Sequence, residues 1–260
     1  QHRVLSYVHG MTVPFPINRD TLNIVFGEEI RTQDVQEFLK QEVDKSKFNV
    51  PAENFEDAVV GQVGERLYDL FFKNYTIKQW GRAPKELSAD VAARIPVRSN
   101  RDNRYFSDKY QGIPVGGYTK MAEKMLDHPN IVLMTGCDYF EIKKNLSSIF
   151  DTKKGLTVYT GALDKFFDYK FGNLEYRSVD IKFKTVDKEF YQEAPVVNYP
   201  NDYDFTRITE FKHMTGEKSD KTVICMEYPK QTGHPYYVVM TKENMEKREK
   251  YMTEVKALED

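Results

Sequence analysis

The sequence predicts an α+β protein, in which a helical bundle precedes an antiparallel β-sheet. In the segments 35–43, 55–71 and 118–126 the apolar residues recur at every third or fourth position, as they do on one face of a helix, whereas residues 85–117 are predicted to be mostly loop. After Pro129 the period becomes two, which indicates strands. In the segment 179–184, apolar and polar residues alternate strictly, as in an antiparallel sheet with one face in solvent. With 260 residues, the chain has room for about two domains.

The N-terminal segment is predicted to form a β-hairpin. Apolar residues at 4–8 and 11–15 flank a His-Gly pair at 9–10, and glycine is favoured in the tight turn of a hairpin. Pro14 and Pro16 end the second strand, because proline has no N–H to donate to a sheet. The turn and the two short apolar runs together predict a hairpin at the start of the chain.

Three helices are predicted to follow. Thr32 is expected to cap the first, whose apolar face comprises Val35, Phe38, Leu39 and Val43. Asn54 is expected to cap a longer second helix, which is broken by a Gly-Arg-Ala-Pro segment at 81–84. The apolar stripe of that helix comprises Phe55, Val59, Val63, Leu67, Leu70 and Phe71. The third helix is expected at 118–126, before the His-Pro pair at 128–129.

The rest of the chain is predicted to form strands and a final helix. The strands are expected at 131–134, 156–159, 179–184, 196–199, 205–210 and 223–226. Thr241 opens the helix, whose inward residues are predicted to be Met245, Tyr251, Met252, Val255 and Leu258. The chain thus divides into a hairpin (1–18), a helical part (19–110), a return segment (111–165) and a sheet part with the closing helix (166–260).

Composition and charge exclude several classes of protein. The net charge is −2, whereas a polyanion-binding protein usually has an excess of basic residues, so nucleic acid is not expected as a partner. No stretch contains the roughly 18 consecutive apolar residues that a membrane span requires. The two cysteines, Cys137 and Cys225, indicate neither a disulfide framework nor a zinc site. We therefore expect a cytoplasmic protein without a bound metal.

Common nucleotide-binding and catalytic motifs are absent from the sequence. Gly61 and Gly64 lie within a helical pattern, and Gly116-Gly117 does not follow a buried strand, so neither pair predicts a dinucleotide-binding turn. There is also no P-loop and no Gly-x-Ser-x-Gly sequence. Any nucleotide site must therefore be built from other elements.

Two neighbouring segments carry residue types that suit a nucleotide. Residues 71–80 contain four aromatic side chains together with amides and a hydroxyl, which suit stacking on a base and bonding to its edge. Arg94, Arg98 and Arg104 follow, and guanidinium groups suit a diphosphate because they pair bidentately and stay charged. On composition alone, a packed aromatic core and solvated surface arginines are the alternatives.

Ordered motifs are found along nearly the whole chain. They comprise Tyr75-Thr76-x-x-Gln79-Trp80, Arg94-Ile95-Pro96-Val97-Arg98, Asn103-Arg104-Tyr105-Phe106, Ile113-Pro114-x-Gly116-Gly117-Tyr118-Thr119, Tyr159-Thr160-Gly161-x-x-Asp164-x-Phe166-Phe167-Asp168-Tyr169-x-Phe171-Gly172, Tyr176-Arg177-Ser178, Val197-Asn198-Tyr199, Thr206-Arg207-Ile208-Thr209-Glu210, Glu227-Tyr228-Pro229 and Pro235-Tyr236-Tyr237. Because it contains these motifs in this order, the chain strongly resembles the UDP-galactopyranose mutases. A series of motifs is far more specific than any one of them.

The resemblance implies a flavoprotein that interconverts UDP-galactopyranose and UDP-galactofuranose. Such an isomerase serves galactofuranose biosynthesis for cell-surface polysaccharides. The resemblance also implies a Rossmann-like FAD domain beside the helical bundle and the antiparallel sheet. FAD acts there in its reduced form: flavin N5 displaces UDP from the anomeric carbon, and the covalent adduct lets the sugar ring open and reclose before UDP returns.

Site residues are carried over from this resemblance. Arg94 and Arg207 resemble the catalytic arginines that hold the diphosphate, and Arg94 falls in a segment (85–104) that is a mobile lid in the family. The other substrate-binding residues are expected to be Asn18, Phe71, Phe72, Tyr75, Thr76, Trp80, Tyr105 and Tyr237, with Tyr75 stacking on the base. The cofactor-binding residues are expected to be Tyr118, Thr160 and Gly161.

The chain also departs from the family pattern. The family's N-terminal glycine-rich phosphate turn and C-terminal Gly-Arg-Leu…Tyr…Asp segment are not found. We therefore expect an internal part of a longer protein, with FAD bound largely by segments outside these residues. Uncovered apolar surface is expected to promote self-association, for example as a homodimer. The alternatives are a non-catalytic UDP-sugar-binding module and a related flavin oxidoreductase.

Overall fold

The computed structural model describes residues 2–94, 96–145 and 156–259, and it has the predicted α+β architecture. Within these residues seven strands form one sheet: β1 (Val4–Val8), β2 (Met11–Phe15), β3 (Tyr176–Val186), β4 (Val196–Asn198), β5 (Arg207–Glu210), β6 (Thr222–Lys230) and β7 (Tyr237–Val238). The strands lie side by side in the order β2-β1-β4-β5-β6-β3-β7. The strands predicted at 179–184, 196–199, 205–210 and 223–226 are thus confirmed.

The N-terminal hairpin is confirmed, and it joins the sheet through a parallel pair. Val8 lies opposite Met11, and the two turn residues His9 and Gly10 have positive φ values of 48° and 78°. Two such residues give the turn a twist that matches the strands. β1 then runs parallel to β4, whereas the other neighbouring pairs of the sheet are antiparallel. The sheet is therefore mixed, although an antiparallel sheet is predicted.

Most of the described helices lie between β2 and β3 in the chain, one lies between β5 and β6, and the last follows β7. The α-helices of the described residues are α1 (Arg19–Phe26), α2 (Val35–Asp44), α3 (Phe55–Val63), α4 (Glu65–Tyr68), α5 (Asn74–Trp80), α6 (Gly117–Leu126), α7 (Tyr139–Ile142), α8 (Leu163–Phe166), α9 (Lys212–Thr215) and α10 (Lys242–Glu259). A π-helical turn, Asp69–Lys73, joins α4 to α5. Two 3₁₀ turns follow α5, Pro84–Glu86 and Ala89–Arg94. No helix in the described ranges is long and apolar enough to cross a membrane.

The main apolar core lies between the hairpin and helices α1 to α5. Of the stripe predicted for the second helix, Leu70 is half-buried and the other five residues are buried. The stripe is not carried by one helix, however, because Gly64 has a φ of 83° and interrupts the helix between α3 and α4. A backbone with positive φ is strained for other residues, so glycine is required at this break. The helix is thus shorter than predicted, while its buried face is as predicted.

One of the two predicted helix caps is confirmed. The Asn54 side chain accepts a hydrogen bond of 3.0 Å from the backbone N–H of Asp57, which caps α3. The prediction that Thr32 caps α2 is wrong, because α2 begins at Val35 and its N-cap position is Asp34. The Asp34 side chain makes no capping hydrogen bond. The Thr32 hydroxyl instead accepts a bond of 3.4 Å from the guanidinium of Arg19.

The two cap positions provide a matched test. Asn54→Ala is expected to lower the free energy of unfolding by about 0.5–2 kcal/mol, because the first turn of α3 loses its acceptor. Asp34→Ala is expected to cost about 0.5 kcal/mol or less, because that side chain makes an exposed ion pair but no cap. Urea denaturation of both variants measures the difference, and equal losses would contradict the assigned caps.

Two of the predicted strands are wrong. The segments 131–134 and 156–159 have no regular secondary structure and no strand partner among the described residues. Val132 is 71% exposed and Leu156 is 92% exposed. A strand is stable only where neighbours accept its backbone hydrogen bonds and cover its apolar face. The apolar residues indicate a strand, but they carry no information on whether a partner is present.

The closing helix is confirmed as α10, and a buried asparagine fixes its first turn. The Asn244 side chain accepts a hydrogen bond from the N–H of Glu175 and donates to the carbonyl oxygen of Val239, at 2.9 and 2.8 Å. Tyr251 is buried as predicted, whereas Leu258 is 66% exposed. The inward orientation predicted for Leu258 is therefore wrong, because the last turn of α10 is solvated.

Candidate functional site

A cavity of about 350 Å³ lies between the sheet and the helical segment 71–80. Aromatic and aliphatic side chains line most of it, and a smaller set of polar groups points into it. Its lining comprises His2, Val4, Ser6, Phe15, Phe55, Phe71, Phe72, Tyr75, Thr76, Trp80, Val91, Pro96, Tyr105, Phe106, Val196, Asn198 and Arg207. A concave apolar site with a few convergent polar groups is typical of small-molecule binding.

The floor of the cavity is one face of the sheet. Ser6 lies opposite Asn198 in the parallel pair, and Asn198 lies opposite Arg207 in the next pair. Arg207 in turn lies opposite Glu227 on β6. Side chains of residues directly opposite each other point to the same face of a sheet. Four strands thus present one polar row along the floor.

The aromatic wall, Phe71, Phe72, Tyr75, Thr76 and Trp80, stands above this floor. Its members are spaced at four-residue intervals within the π-helical turn and α5, so they share one side of the segment. Phe15 packs against both phenylalanines, with ring centroids 6.3 and 6.2 Å apart. The structure thus brings these five predicted residues together on one side of the cavity, while Phe71 and Phe72 also belong to the apolar core.

The Arg207 guanidinium uses one of its nitrogens to bind Glu227 and has two further nitrogens that can donate hydrogen bonds. Its Nε donates to Oε1 of Glu227 at 2.7 Å, and its terminal nitrogens make no hydrogen bond to the residues that the structure describes. Burial would lower the pKa of the guanidinium, but the hydrogen bond to Glu227 and the nearby hydroxyl of Tyr75 raise it above the ordinary value. The group is therefore a fixed cation whose outer N–H groups face the cavity.

Two tyrosine hydroxyls near Arg207 are free in the described parts of the chain. Neither Tyr75 nor Tyr105 donates or accepts a side-chain hydrogen bond there, although both line the cavity. Burial raises the pKa of Tyr75 to about 12; Arg207 opposes this shift and Glu227 adds to it. Tyr75 therefore remains a neutral hydroxyl that can donate a hydrogen bond at any physiological pH.

Ser6, Asn198 and Glu227 belong to this site without being predicted. Ser6 is 2% exposed, and neither its hydroxyl nor the Asn198 amide has a hydrogen-bond partner in the ranges described. Ser6 is the one polar residue among the inward residues of β1, the others being Val4 and Val8. A polar residue at an inward position is a weak indication of a site in the sequence. Asn198 and Glu227 lie in motifs that carry the family resemblance, but residue type alone does not assign them a role.

Two other predicted substrate residues do not line the cavity. Tyr237 packs edge-on against Trp80, with ring centroids 5.3 Å apart, and its hydroxyl donates to the carbonyl oxygen of Gln79 at 3.2 Å. Asn18 is fully buried and caps α1, where its side chain accepts a hydrogen bond from the N–H of Thr21. Both side chains thus support elements next to the cavity.

Arg94, the second predicted arginine, ends the 3₁₀ turn Ala89–Arg94, and its side chain lies outside what the structure describes. Two other residues of the segment 85–104, Val91 and Pro96, do line the cavity. Part of the predicted lid segment therefore forms one side of the site.

The predicted cofactor residues lie at two further cavities. Tyr118 lines a cavity of about 540 Å³ that shares His2 and Phe106 with the first. The rings of His2 and Phe106 are stacked, with centroids 5.6 Å apart, and form the boundary between the two cavities. Thr160 and Gly161 line a separate cavity of about 390 Å³, so the structure does not bring them together with Tyr118.

Comparison with known proteins gives consistent matches. The family model described as UDP-galactopyranose mutase matches residues 70–260. A probable UDP-galactopyranose mutase of Klebsiella pneumoniae is 35% identical over 258 residues, covering 97% of this chain and 64% of that protein. A dTDP-fucopyranose mutase of Escherichia coli is 35% identical over 249 residues, covering 91% of this chain and 63% of that protein. The chain thus spans less than two thirds of the length of either relative.

A solved structure shows the same fold. The crystal structure of a reduced UDP-galactopyranose mutase superposes with a TM-score of 0.55 at 19% sequence identity. The match covers 91% of this chain and 59% of that one. The arrangement of helices and sheet described above is therefore shared with a larger protein.

Proposed function

Because the chain belongs to the UDP-galactopyranose mutase family, we propose that its cavity binds a UDP-sugar and that the protein interconverts UDP-galactopyranose and UDP-galactofuranose. The observation that carries the proposal is a pair of terminal guanidinium nitrogens on Arg207, and a Tyr75 hydroxyl in the aromatic wall, that bond to none of the described residues and line one cavity. An aromatic wall suits a base, and a guanidinium suits a diphosphate. Both parts of a nucleoside diphosphate are thus matched within one cavity.

We assign Arg207 to the diphosphate and Tyr75 to the base. Since its Nε is held by Glu227, Arg207 can direct its two terminal nitrogens at phosphate oxygens in a fixed orientation. In the proposed reaction UDP leaves the sugar and later returns, so this cation stabilises the charge that develops on the leaving phosphate. The Tyr105 hydroxyl is an additional phosphate donor, and Arg94 is the second phosphate arginine by family resemblance.

The residues beside the first cavity fit the ring of a flavin. Tyr118 and the stacked His2–Phe106 pair give the neighbouring cavity an aromatic wall, which suits a planar isoalloxazine. We propose FAD as the cofactor, with these residues against its ring. When bound and reduced, it supplies a nitrogen nucleophile toward the anomeric carbon. Arg207 and Tyr75 then have the task of holding the UDP part still while the sugar reacts.

We further propose that the protein works in the cytoplasm and supplies galactofuranose for cell-surface polysaccharides. Both cysteines are unpaired thiols, Cys137 exposed and Cys225 buried, as is usual in a reducing compartment. A nucleotide sugar is a soluble substrate for such a compartment.

Two measurements test the proposed function. Trp80 is the single tryptophan and lies in the wall, so UDP is expected to change its fluorescence in a saturable titration. The protein with added FAD and dithionite is then assayed for conversion of UDP-galactofuranose to UDP-galactopyranose. Binding without conversion would favour a non-catalytic UDP-sugar-binding module. If dTDP binds more tightly than UDP, the substrate class is that named for the Escherichia coli relative.

Removal of the free hydroxyl in the wall should weaken binding but not folding. Tyr75→Phe is expected to raise the Kd for UDP by a factor of about 5, since a hydrogen bond is worth about 1 kcal/mol. The melting temperature should stay unchanged, because that hydroxyl bonds to no described residue. Tyr68→Phe is the matched control: its hydroxyl donates to Glu56 at 2.7 Å, so this variant should lose stability and keep its UDP affinity. The opposite pattern would reject the assignment of Tyr75.

A further inference from the structure

Lys78 belongs to α5, the helix that carries Tyr75 and Trp80, but its side chain does not line the cavity. Its ammonium group donates to three backbone carbonyl oxygens: that of Tyr199, that of Tyr203 at 2.8 Å and that of Phe205 at 3.0 Å. All three belong to the connection 199–206 between β4 and β5, which leads directly to Arg207. One side chain therefore links the aromatic wall to the strand that carries the arginine.

Other polar contacts reinforce the same link. Asn201, in the connection 199–206, accepts a hydrogen bond from the side chain of Asn74 and donates one to the carbonyl oxygen of Leu70, both at 3.0 Å. At the other end of α5, the guanidinium of Arg177 donates to the carbonyl oxygen of Gln79 at 3.1 Å. The helix is thus tied to the sheet at its start, its middle and its end, and Lys78 makes the largest number of these contacts.

The chemistry of the Lys78 contact requires a protonated amine. An ammonium group has three N–H donors, which match the three carbonyl acceptors, whereas a neutral amine has two. Burial lowers the pKa of Lys78 to about 8, while the carboxylates of Asp202 and Asp204 act in the opposite direction. At neutral pH the amine therefore keeps its full set of donors.

We propose that Lys78 is a positioning residue that sets the distance between the aromatic wall and Arg207. The inference rests on the proposed function, in which the base lies on the wall and the diphosphate on Arg207. A ligand that spans both groups needs them at a fixed separation, because a misplaced donor contributes little to binding. Lys78 acts on this separation through the connection 199–206 and touches neither part of the ligand.

A second lysine provides a matched control. The ammonium group of Lys212 also donates to three carbonyl oxygens, those of Glu189, Ser219 and Lys221, and its side chain lines none of the cavities described above. Lys78→Met and Lys212→Met thus each remove an ammonium group that donates to three carbonyl oxygens. If both lysines only stabilise the fold, the two variants should behave alike.

The test is isothermal titration calorimetry with UDP and with UMP, which lacks the second phosphate. Lys78→Met is expected to raise the Kd for UDP at least fivefold and the Kd for UMP less than twofold. Lys78→Arg should restore part of the UDP binding, because it keeps the charge but places its donors on a planar fork instead of on one nitrogen. Lys212→Met should lose a similar amount of thermal stability and keep both Kd values within twofold.

Hydrogen exchange of the unliganded variants supplies a readout that needs no ligand. Amides of the connection 199–206 are expected to exchange faster in Lys78→Met than in the original chain, and Lys78→Arg should reverse part of the effect. Unchanged exchange, an unchanged Kd for UDP, or equal losses for UDP and UMP would each overturn the positioning role. If the original chain binds no UDP, the proposed function is wrong, and this inference is wrong with it.

Discussion

Replacement of Arg207 by alanine is expected to weaken UDP binding roughly 10- to 150-fold. A hydrogen bond to a charged group is worth about 1.5–3 kcal/mol, and the terminal nitrogens of Arg207 are free to make such bonds. Folding should change little, because the Arg207 side chain is 45% exposed and pairs with Glu227 alone among the described residues. Titration of the two proteins while Trp80 fluorescence is recorded measures the difference.

Two further variants separate charge from geometry at this position. Arg207→Lys keeps the charge but removes the forked arrangement of donors, so it should recover only part of the affinity. Arg31→Ala removes an arginine whose ion pair with Asp34 is exposed and does not line the cavity, so UDP affinity should be unchanged. Equal affinity of Arg207→Ala and the original chain would reject the phosphate role.

Glu210→Ala is expected to lower the free energy of unfolding by about 3 kcal/mol. The Glu210 side chain is fully buried and accepts hydrogen bonds from the N–H groups of Tyr191 and Gln192, both at 3.0 Å, and from the Thr222 hydroxyl at 2.6 Å. His213 lies 3.2 Å from the same carboxylate. Removal of a buried acceptor leaves its donors without partners, and each such loss costs about 1–3 kcal/mol. Thermal and urea denaturation measure the change.

The pH dependence of stability gives a second signature of Glu210. Burial would raise the pKa of its carboxyl, but the hydrogen bonds from Thr222, Tyr191 and Gln192 and the nearby His213 hold it below the ordinary value of 4.5. The unfolded chain therefore binds the proton more readily, so stability from this group is present above pH 4.5 and is lost as the pH falls through the lower folded pKa.

Substitution of Glu210 should remove this acid-sensitive contribution. Glu210→Ala is expected to flatten the stability profile below pH 4.5, whereas Glu217→Ala, at an exposed position, should leave both the profile and the midpoint unchanged. A Glu210→Ala profile that is parallel to that of the original chain would show that another group controls acid unfolding.

The helical half of the site could be predicted because its residues are contiguous in sequence. The four-residue spacing from Phe71 to Trp80 is a local property of a helix, and so is the cap at Asn54. The sheet floor could not be predicted in this way. Ser6, Asn198 and Glu227 come together through the pairing and register of separate strands, which no local pattern encodes.

The segments 131–134 and 156–159, which have no strand partner among the described residues, show a second limit of local prediction. Their apolar composition favours strands, but a strand forms only where another strand accepts its hydrogen bonds. The parallel pairing of β1 with β4 is likewise decided by tertiary structure, because each strand alone is equally compatible with an antiparallel neighbour. Whether a segment forms a helix or a strand is thus predictable over much of this chain, but which strands pair with each other is not.

The parallel pair of β1 and β4 also constrains the order in which the protein folds. Apart from Val239, the buried residues of the helical core lie between Val8 and Ala92, so most of this core can form early and fast. The floor joins Ser6 to Asn198, from distant parts of the chain, and long-range strand pairing carries a large loop-closure entropy. During synthesis the aromatic wall can therefore be complete on the ribosome while only the β1 part of the floor is present. Competence to bind a ligand arises only after β4 has paired with β1 and β5 has paired with β4.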